Sequence, residues 1–279
     1  MTPSGWRGHL RLHYTHRSGR TVGVDRHEGP LRVLQPLYPE GPGICHHVLV
    51  HPPGGVVGGD ELLVDAHLGP GTHALITTPG ATRFYRSDGP TALQRASVTL
   101  EAGARVEWLP LEAIAHPGCA AENQLRLNLA PGAEAMGWDV LALGLPAANQ
   151  PFNVGWYRQH LEVPGVWLER ARVAADDVLL LQSPLGWAGY TVLGTLWLVA
   201  GQPIEPARRE ALLDAARGLI TSHELVRTAA ATAPQTAVVV VRVLAAKVEP
   251  LMGLLAQVRG AWRQAAWGLC AEPPRIWRT

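Results

Sequence analysis

The chain has 279 residues, 47% apolar and 17% charged, with a formal net charge of +1; it is long enough to bury a substantial core and carries no electrostatic footprint for nucleic acid or an anionic membrane surface. Its three scattered cysteines, Cys45, Cys119 and Cys270, exclude a disulfide framework and a paired zinc-ligand signature. The longest apolar runs fall short of the ~20 residues a membrane helix needs, and no basic stretch followed by an apolar one opens the chain, so a cytoplasmic location is expected.

Up to about residue 200 the pattern is short and β-like. Segments 32–35, 45–51, 61–68, 73–78, 96–100, 105–109 and 124–129 fit short strands. Gly and Pro punctuate them at 69–71, 102–103, 131–132 and 164–165. Helical stretches of the kind that build a parallel α/β sheet are missing there, which argues for a layered all-β body. The last third, about 201–279, reads as helix, strand, helix. Pro206 suits a first helical position, and Leu212, Leu213, Ala216, Leu219 and Ile220 follow at helical spacing. Residues 236–244 form a β-branched run that reads as a buried strand. Pro250 opens a second helix whose apolar face carries Leu251, Leu254, Leu255, Val258, Trp262, Ala265 and Leu269, with Gly268 as its stop. Residues 273–277 read as short and extended. No internal repeat and no linker is visible, so the expectation is a single domain over 1–279, mainly β, with two C-terminal helices.

The densest backbone constraint is His51-Pro52-Pro53-Gly54-Gly55, followed by Gly58-Gly59-Asp60. Proline fixes φ and glycine admits close backbone approach, so the segment is a specified turn that delivers Asp60 to a chosen place. It is not a phosphate loop: the lysine and hydroxyl of a P-loop are absent, and the following residues alternate like a strand. A second segment, Thr77-Thr78-Pro79 with Thr82-Arg83-Phe84-Tyr85-Arg86-Ser87, sets hydroxyls, two cations and an aromatic pair after a strand. A third is Glu107-Trp108-Leu109-Pro110 with Glu112. Histidines crowd the first half, a composition that suits nickel or zinc. Yet His46 and His47 point to opposite faces of a strand, and no local three-ligand set exists. No Gly-x-Ser-x-Gly nucleophile elbow appears. A metal-dependent hydrolase on a β scaffold is the alternative reading, and it needs ligands that converge only in three dimensions.

Taken in order with Gln35-Pro36-Leu37-Tyr38-Pro39-Glu40, Gly137-Trp138-Asp139, Glu169-Arg170 and Arg275-Ile276-Trp277, these motifs closely resemble the urease accessory protein D family, called UreD or UreH, over nearly the whole chain. The resemblance implies a non-enzymatic accessory protein for the maturation of urease, a nickel enzyme. It implies a β-rich, irregular β-helix-like stack of strands with two helices. The partners implied are accessory protein F, the GTPase accessory protein G through F, and the urease apoprotein, assembled as a dimer of hetero-complexes. No cofactor is expected to stay bound; nickel is in transit through an internal passage. On that reading Asp60, Asp139 and Glu169 line or gate the passage. His51, Pro52, Pro53, Gly54, Gly55, Gly58, Gly59, Thr78, Pro79, Tyr85, Arg86 and Ser87 frame it, and Arg170 or Arg172 is the expected partner of Glu169. Trp262, Arg275 and Trp277 are expected at the accessory protein F interface.

Overall fold

The computed structural model describes residues 5–270 and 272–278. A hairpin of β1 (Arg7–Arg17) and β2 (Arg20–Glu28) comes first, then β3 (Arg32–Val33). The chain next winds through successive coils that visit three faces in turn. The first coil is β4 (Ile44–Val50), β5 (Gly55–Val56) and β6 (Glu61–Leu68). The second is β7 (His73–Thr77), β8 (Thr82–Phe84) and β9 (Ala92–Leu100). The third is β10 (Arg105–Leu109), β11 (Ala113–Ala115) and β12 (Ala120–Leu129). β13 (Glu134–Leu143) and β14 (Trp156–Val163) make the last. Each coil stacks in parallel on the one before, so this is a β-solenoid. Of the Gly/Pro turns read from the sequence, the one at 164–165 joins a hairpin, and those at 69–71, 102–103 and 131–132 are where coils close. Leu68, Leu100 and Leu129 stack in register just before those turns.

β15 (Trp167–Ala174) pairs antiparallel with β14 and completes a seven-stranded sheet of order β15-β14-β12-β9-β6-β1-β2. After the short helix α1 (Val178–Gln182) come β16 (Val192–Ala200), α2 (Pro206–Thr221), β17 (Ala229–Gln235), β18 (Val238–Ala245) and α3 (Val248–Trp267). The second sheet runs β17-β18-β16-β13-β10-β7-β4-β3, with β5, β8 and β11 as a narrow third face. The mainly β class with two C-terminal helices is as expected. Parallel pairing arises without crossover helices because each return passes through the opposite sheet.

Burial explains the two kinds of strand sequence. The seven-stranded sheet has one solvated face, and β14 alternates half-buried and buried at every residue. The second sheet is covered on both sides, by the solenoid interior and by α2 and α3, so β16 and β18 are nearly continuous apolar runs. One core fills the solenoid interior and a second lies under the helices. Glu205 caps α2 by accepting from the amides of Ala207 (3.0 Å) and Arg208 (2.8 Å). α3 starts two residues before Pro250, which the free amides of a first turn allow. It ends at Gly268 in a left-handed conformation.

Two expectations are corrected. The C-terminal segment is not extended: Arg275–Arg278 forms a 3-10 turn, with Trp277 N donating to Pro274 O. Trp262 does not serve an interface. It is fully buried between α2 and α3 and its Nε1 donates to Leu212 O at 2.8 Å. Among the described residues no helix is long and apolar enough to cross a membrane.

Candidate functional site

The first two motifs of the sequence meet at one opening. An internal cavity of about 210 Å³ lies between the sheets near the first coils. Its rim is His51 and Gly54 on one side and Thr78, Pro79 and Gly80 on the other. Gly54, Pro79 and Gly80 are exposed, which places the rim at the surface. The ring of Tyr85 lies on Gly55, where a Cβ would stand 2.0 Å from Cε2, and Ser87 Oγ would be 2.0 Å from a Cβ on Gly58. The motifs therefore interlock, and glycine is required for contact rather than for flexibility. Gly55→Ala should destabilise the protein by about 1–3 kcal/mol, whereas Gly80→Ala, with open space at its Cβ position, should leave the melting temperature unchanged. Equal melting temperatures for the two variants would contradict the interlock.

Asp60 is buried, but both of its oxygens are committed. Oδ1 accepts from Trp6 N at 2.8 Å and Oδ2 from Val57 N at 3.0 Å. Its structural role is to hold the turn, and the expected role as a free carboxylate on the passage is corrected accordingly. It stands close enough to His51 to oppose, in part, the lowering of the imidazole pKa by burial. His51 Nε2 is enclosed and has no hydrogen-bond partner among the described residues.

Behind the cavity a polar thread runs along the interior. Gln94, on the cavity wall, donates to Asn123 Oδ1 at 3.3 Å, and Asn123 donates to Asp139 Oδ2 at 3.0 Å. Gln94, Asn123 and Gln159 are register neighbours on β9, β12 and β14. Facing them, Asp139, Thr195 and Arg242 are register neighbours on β13, β16 and β18. At the far end Glu169 pairs with Arg242, Nε to Oε1 at 3.4 Å with a shorter contact from Nη2 to Oε2. The partner of Glu169 is thus Arg242, not Arg170 or Arg172: those two share the β15 strand with it, whereas Arg242 reaches it from the opposite sheet.

Asp139 is the chemically unusual member. Among the described residues none makes a hydrogen bond with its enclosed Oδ1, with Tyr157 Oη or with Trp197 Nε1. Burial, and then the charge of Glu169, push its carboxyl up to about 7, against the weaker pull of Gln159 and Asn123. Enclosed polar atoms without protein partners are normally matched by water or an ion. Among the described residues no three His, Cys, Asp or Glu side chains converge to hold a metal ion.

A second buried polar group serves the fold. Glu107 is fully buried on the face of β10 that meets α3, where Arg259 Nη2 and Nε approach Oε2 at 2.6 and 2.9 Å. Arg263 Nε lies 3.1 Å from Oε1, and His73 Nε2 is also at 3.1 Å. Arg263 continues to Glu40 (2.7 Å), which meets His46 (2.9 Å). Burial alone would raise the Glu107 carboxyl, but the His73 hydrogen bond and the two arginines hold it down at about 2. The C-terminal segment is tied to the same place: Arg259 donates to Glu272 O at 3.2 Å, and Trp277 packs on Trp138 and donates to Thr77 Oγ1 at 2.8 Å. Of the residues expected at a partner interface, Arg275 is exposed and Trp277 is half-buried against its own chain.

The model of the UreD urease accessory protein family matches residues 7–278. The chain belongs to that family. Urease accessory protein UreD of Leptothrix cholodnii is 60% identical over 276 residues, covering 98% of this chain and 99% of the relative. The UreD proteins of a Polaromonas species and of Variovorax paradoxus are 60% and 58% identical, each again over 98% of this chain and 99% of the relative. Relatives named as accessory proteins do not favour the hydrolase alternative. Of the residues of this polar thread, Asp139 and Glu169 stand out in the sequence, whereas Asn123, Gln159, Thr195 and Arg242 do not. Their signal was available: each is a polar residue at an inward position of a strand whose other inward positions are mostly apolar.

Proposed function

We propose that this UreD chain is a non-enzymatic scaffold and nickel conduit in urease maturation. In this reading it works in the cytoplasm and docks accessory protein F, and through it the GTPase accessory protein G, onto the urease apoprotein, in a dimer of hetero-complexes. Nickel is the cargo and no resident cofactor is required. The observation that carries the reading is the pair of facing polar rows, Gln94–Asn123–Gln159 and Asp139–Thr195–Arg242, at inward positions of strands that are otherwise mostly apolar there; Gln159 and Thr195 are buried, Gln94, Asn123 and Asp139 half-buried, and Arg242 reaches solvent.

The chemistry fits transit rather than storage. Oxygen and amide donors hold a divalent ion loosely, whereas a closed thiolate or imidazole cage would trap it. Asp139 must lose its proton to meet a cation, so its occupancy rises with pH through about 7. Glu169 is available only when Arg242 gives way, which would make that ion pair the far gate. The test is Asp139→Ala and Glu169→Gln in the assembled complex. Nickel delivered to urease should fall at least about tenfold, equivalent to about 1.4 kcal/mol, while co-purification of the partners persists. Full nickel loading by an intact variant complex would overturn the conduit.

A further inference from the structure

The passage does not use the outward half of the second motif, Arg83, Tyr85 and Arg86. Tyr85 and Arg86 line a different hollow, of about 500 Å³, on the outside of the narrow third face, and Arg83 stands beside it, near enough for its charge to act on His116 in the hollow. We propose that this hollow is a docking site for an extended, acidic segment of a partner polypeptide.

The cations come first. Arg83 is exposed and makes no ion pair among the described residues. The stem of Arg86 is laid across Gly118, where a Cβ would meet Cγ at 3.0 Å, so the side chain is steered toward the hollow. Its only ion pair among the described residues is with Asp88 at 3.3 Å, with both side chains largely exposed, an interaction weak enough to exchange for a better carboxylate. With Arg83 beside Arg86, two guanidinium groups against one exposed acid leave the surroundings of the hollow positive, and the planar fork of arginine suits a carboxylate.

The floor is aromatic and imidazole. His116 sits edge-on to Tyr85, with ring centroids 4.7 Å apart, and its Nε2 is enclosed with no hydrogen-bond partner among the described residues. Burial and the charge of Arg83 both favour its neutral form. The far wall is a loop bearing Asn149, Gln150 and Asn153, whose side-chain amides make no hydrogen bond among the described residues. Each primary amide offers both a donor and an acceptor, the same pair a peptide backbone presents.

This loop is fixed by its own backbone. Leu145 and Gln150 exchange hydrogen bonds at 2.7 and 3.1 Å, Gly118 N donates to Val154 O at 2.7 Å, and Asn149 holds a left-handed φ of 54°. Three unpaired amides on a held backbone offer the donors and acceptors an extended segment needs, and the two arginines suit its carboxylates. A strand of polyphosphate would leave the amide wall unused.

Titration followed by amide NMR shifts tests this with named probes on the full chain. The probes are a capped hexapeptide alternating Glu and Thr, the same peptide with Lys for Glu, and a short single-stranded DNA, all at millimolar concentration. The Glu peptide should shift residues around 116 and 149–153, and the Lys peptide should not. Arg83→Glu with Arg86→Glu should invert that preference by about tenfold or more, as charge-assisted pairing requires. Asn153→Ala should weaken the Glu peptide severalfold with the fold and the mouth of the passage unchanged. No shift with the Glu peptide, equal response to the two peptides, or a preference for DNA would each overturn the proposal. None of these readouts involves nickel, so they stand or fall apart from the conduit.

Discussion

Glu107→Ala should be the most destabilising single substitution in the molecule, by about 3–5 kcal/mol, because it leaves Arg259 and half of the pairing of Arg263 buried without a counter-charge. Both arginines are essentially inaccessible. Their guanidinium groups sit one turn apart on α3 and are aimed at one carboxylate on β10. Equilibrium urea unfolding measures the loss. The double variant Glu107→Ala with Arg259→Met should recover a large part of it, since removing both charges spares the desolvation cost of an unpaired one. A single variant within about 1 kcal/mol of the parent, the size of an exposed pair, would show that the cluster contributes little. Because Glu272 O and Trp277 are held beside Arg259, limited proteolysis should cut near the C-terminus of the single variant sooner than in the parent.

The same cluster fixes the acid limb of stability. The folded carboxyl of Glu107 lies at about 2, below its ordinary 4.5. Its contribution is therefore complete above about pH 4.5 and is lost as the pH falls toward 2. Glu40 and Glu134 are shifted in the same direction, against burial, by His46 and Arg263 and by Arg208 and Trp267 respectively. They add to the loss in the same window.

The fold was legible in the sequence where one periodicity dominated. Strands 61–68 and 105–109 appear at the expected residues because both ends are set by turn residues. β2 was not legible, because it is an edge strand with mostly exposed residues and so has no buried alternation to display. The coil repeat was also hidden. Stacked positions need only be apolar and compatible with their neighbours, so equivalent residues such as Val64 and Ala96 differ in size. Helix α3 showed its apolar stripe, but Arg259 and Arg263 look like solvated-face residues until the carboxylate opposite them is known. The polar thread was half legible. Charged residues stood out as isolated carboxylates, whereas Asn123 and Gln159 look like ordinary strand polars until the inward parity of β12 and β14 is fixed. Trp262 was misread because tryptophan suits both interfaces and cores, and the contact with Leu212 that decides between them is made through the fold.

Asp139→Asn should make the protein more stable and worse at its task. Below about pH 4 the aspartic acid is protonated in both folded and unfolded chains, so parent and variant should differ little there. As the pH rises from about 4 to 7 the unfolded chain ionises while the folded one keeps its proton, since the folded carboxyl titrates at about 7 against an ordinary 3.8. Folding of the parent therefore weakens through that window and levels off above it, whereas the asparagine variant does not change. The advantage of the variant near pH 7.5 should reach no more than about 4 kcal/mol. Urea unfolding at pH 4 and pH 7.5 reads the difference, and a pH-independent gap between the two proteins would refute it. Nickel delivery should move the other way, because a neutral amide cannot exchange a proton for a cation. A stabilised, correctly assembled variant that transfers nickel poorly would show that the cost of burying Asp139 is retained for its charge, which packing alone does not require.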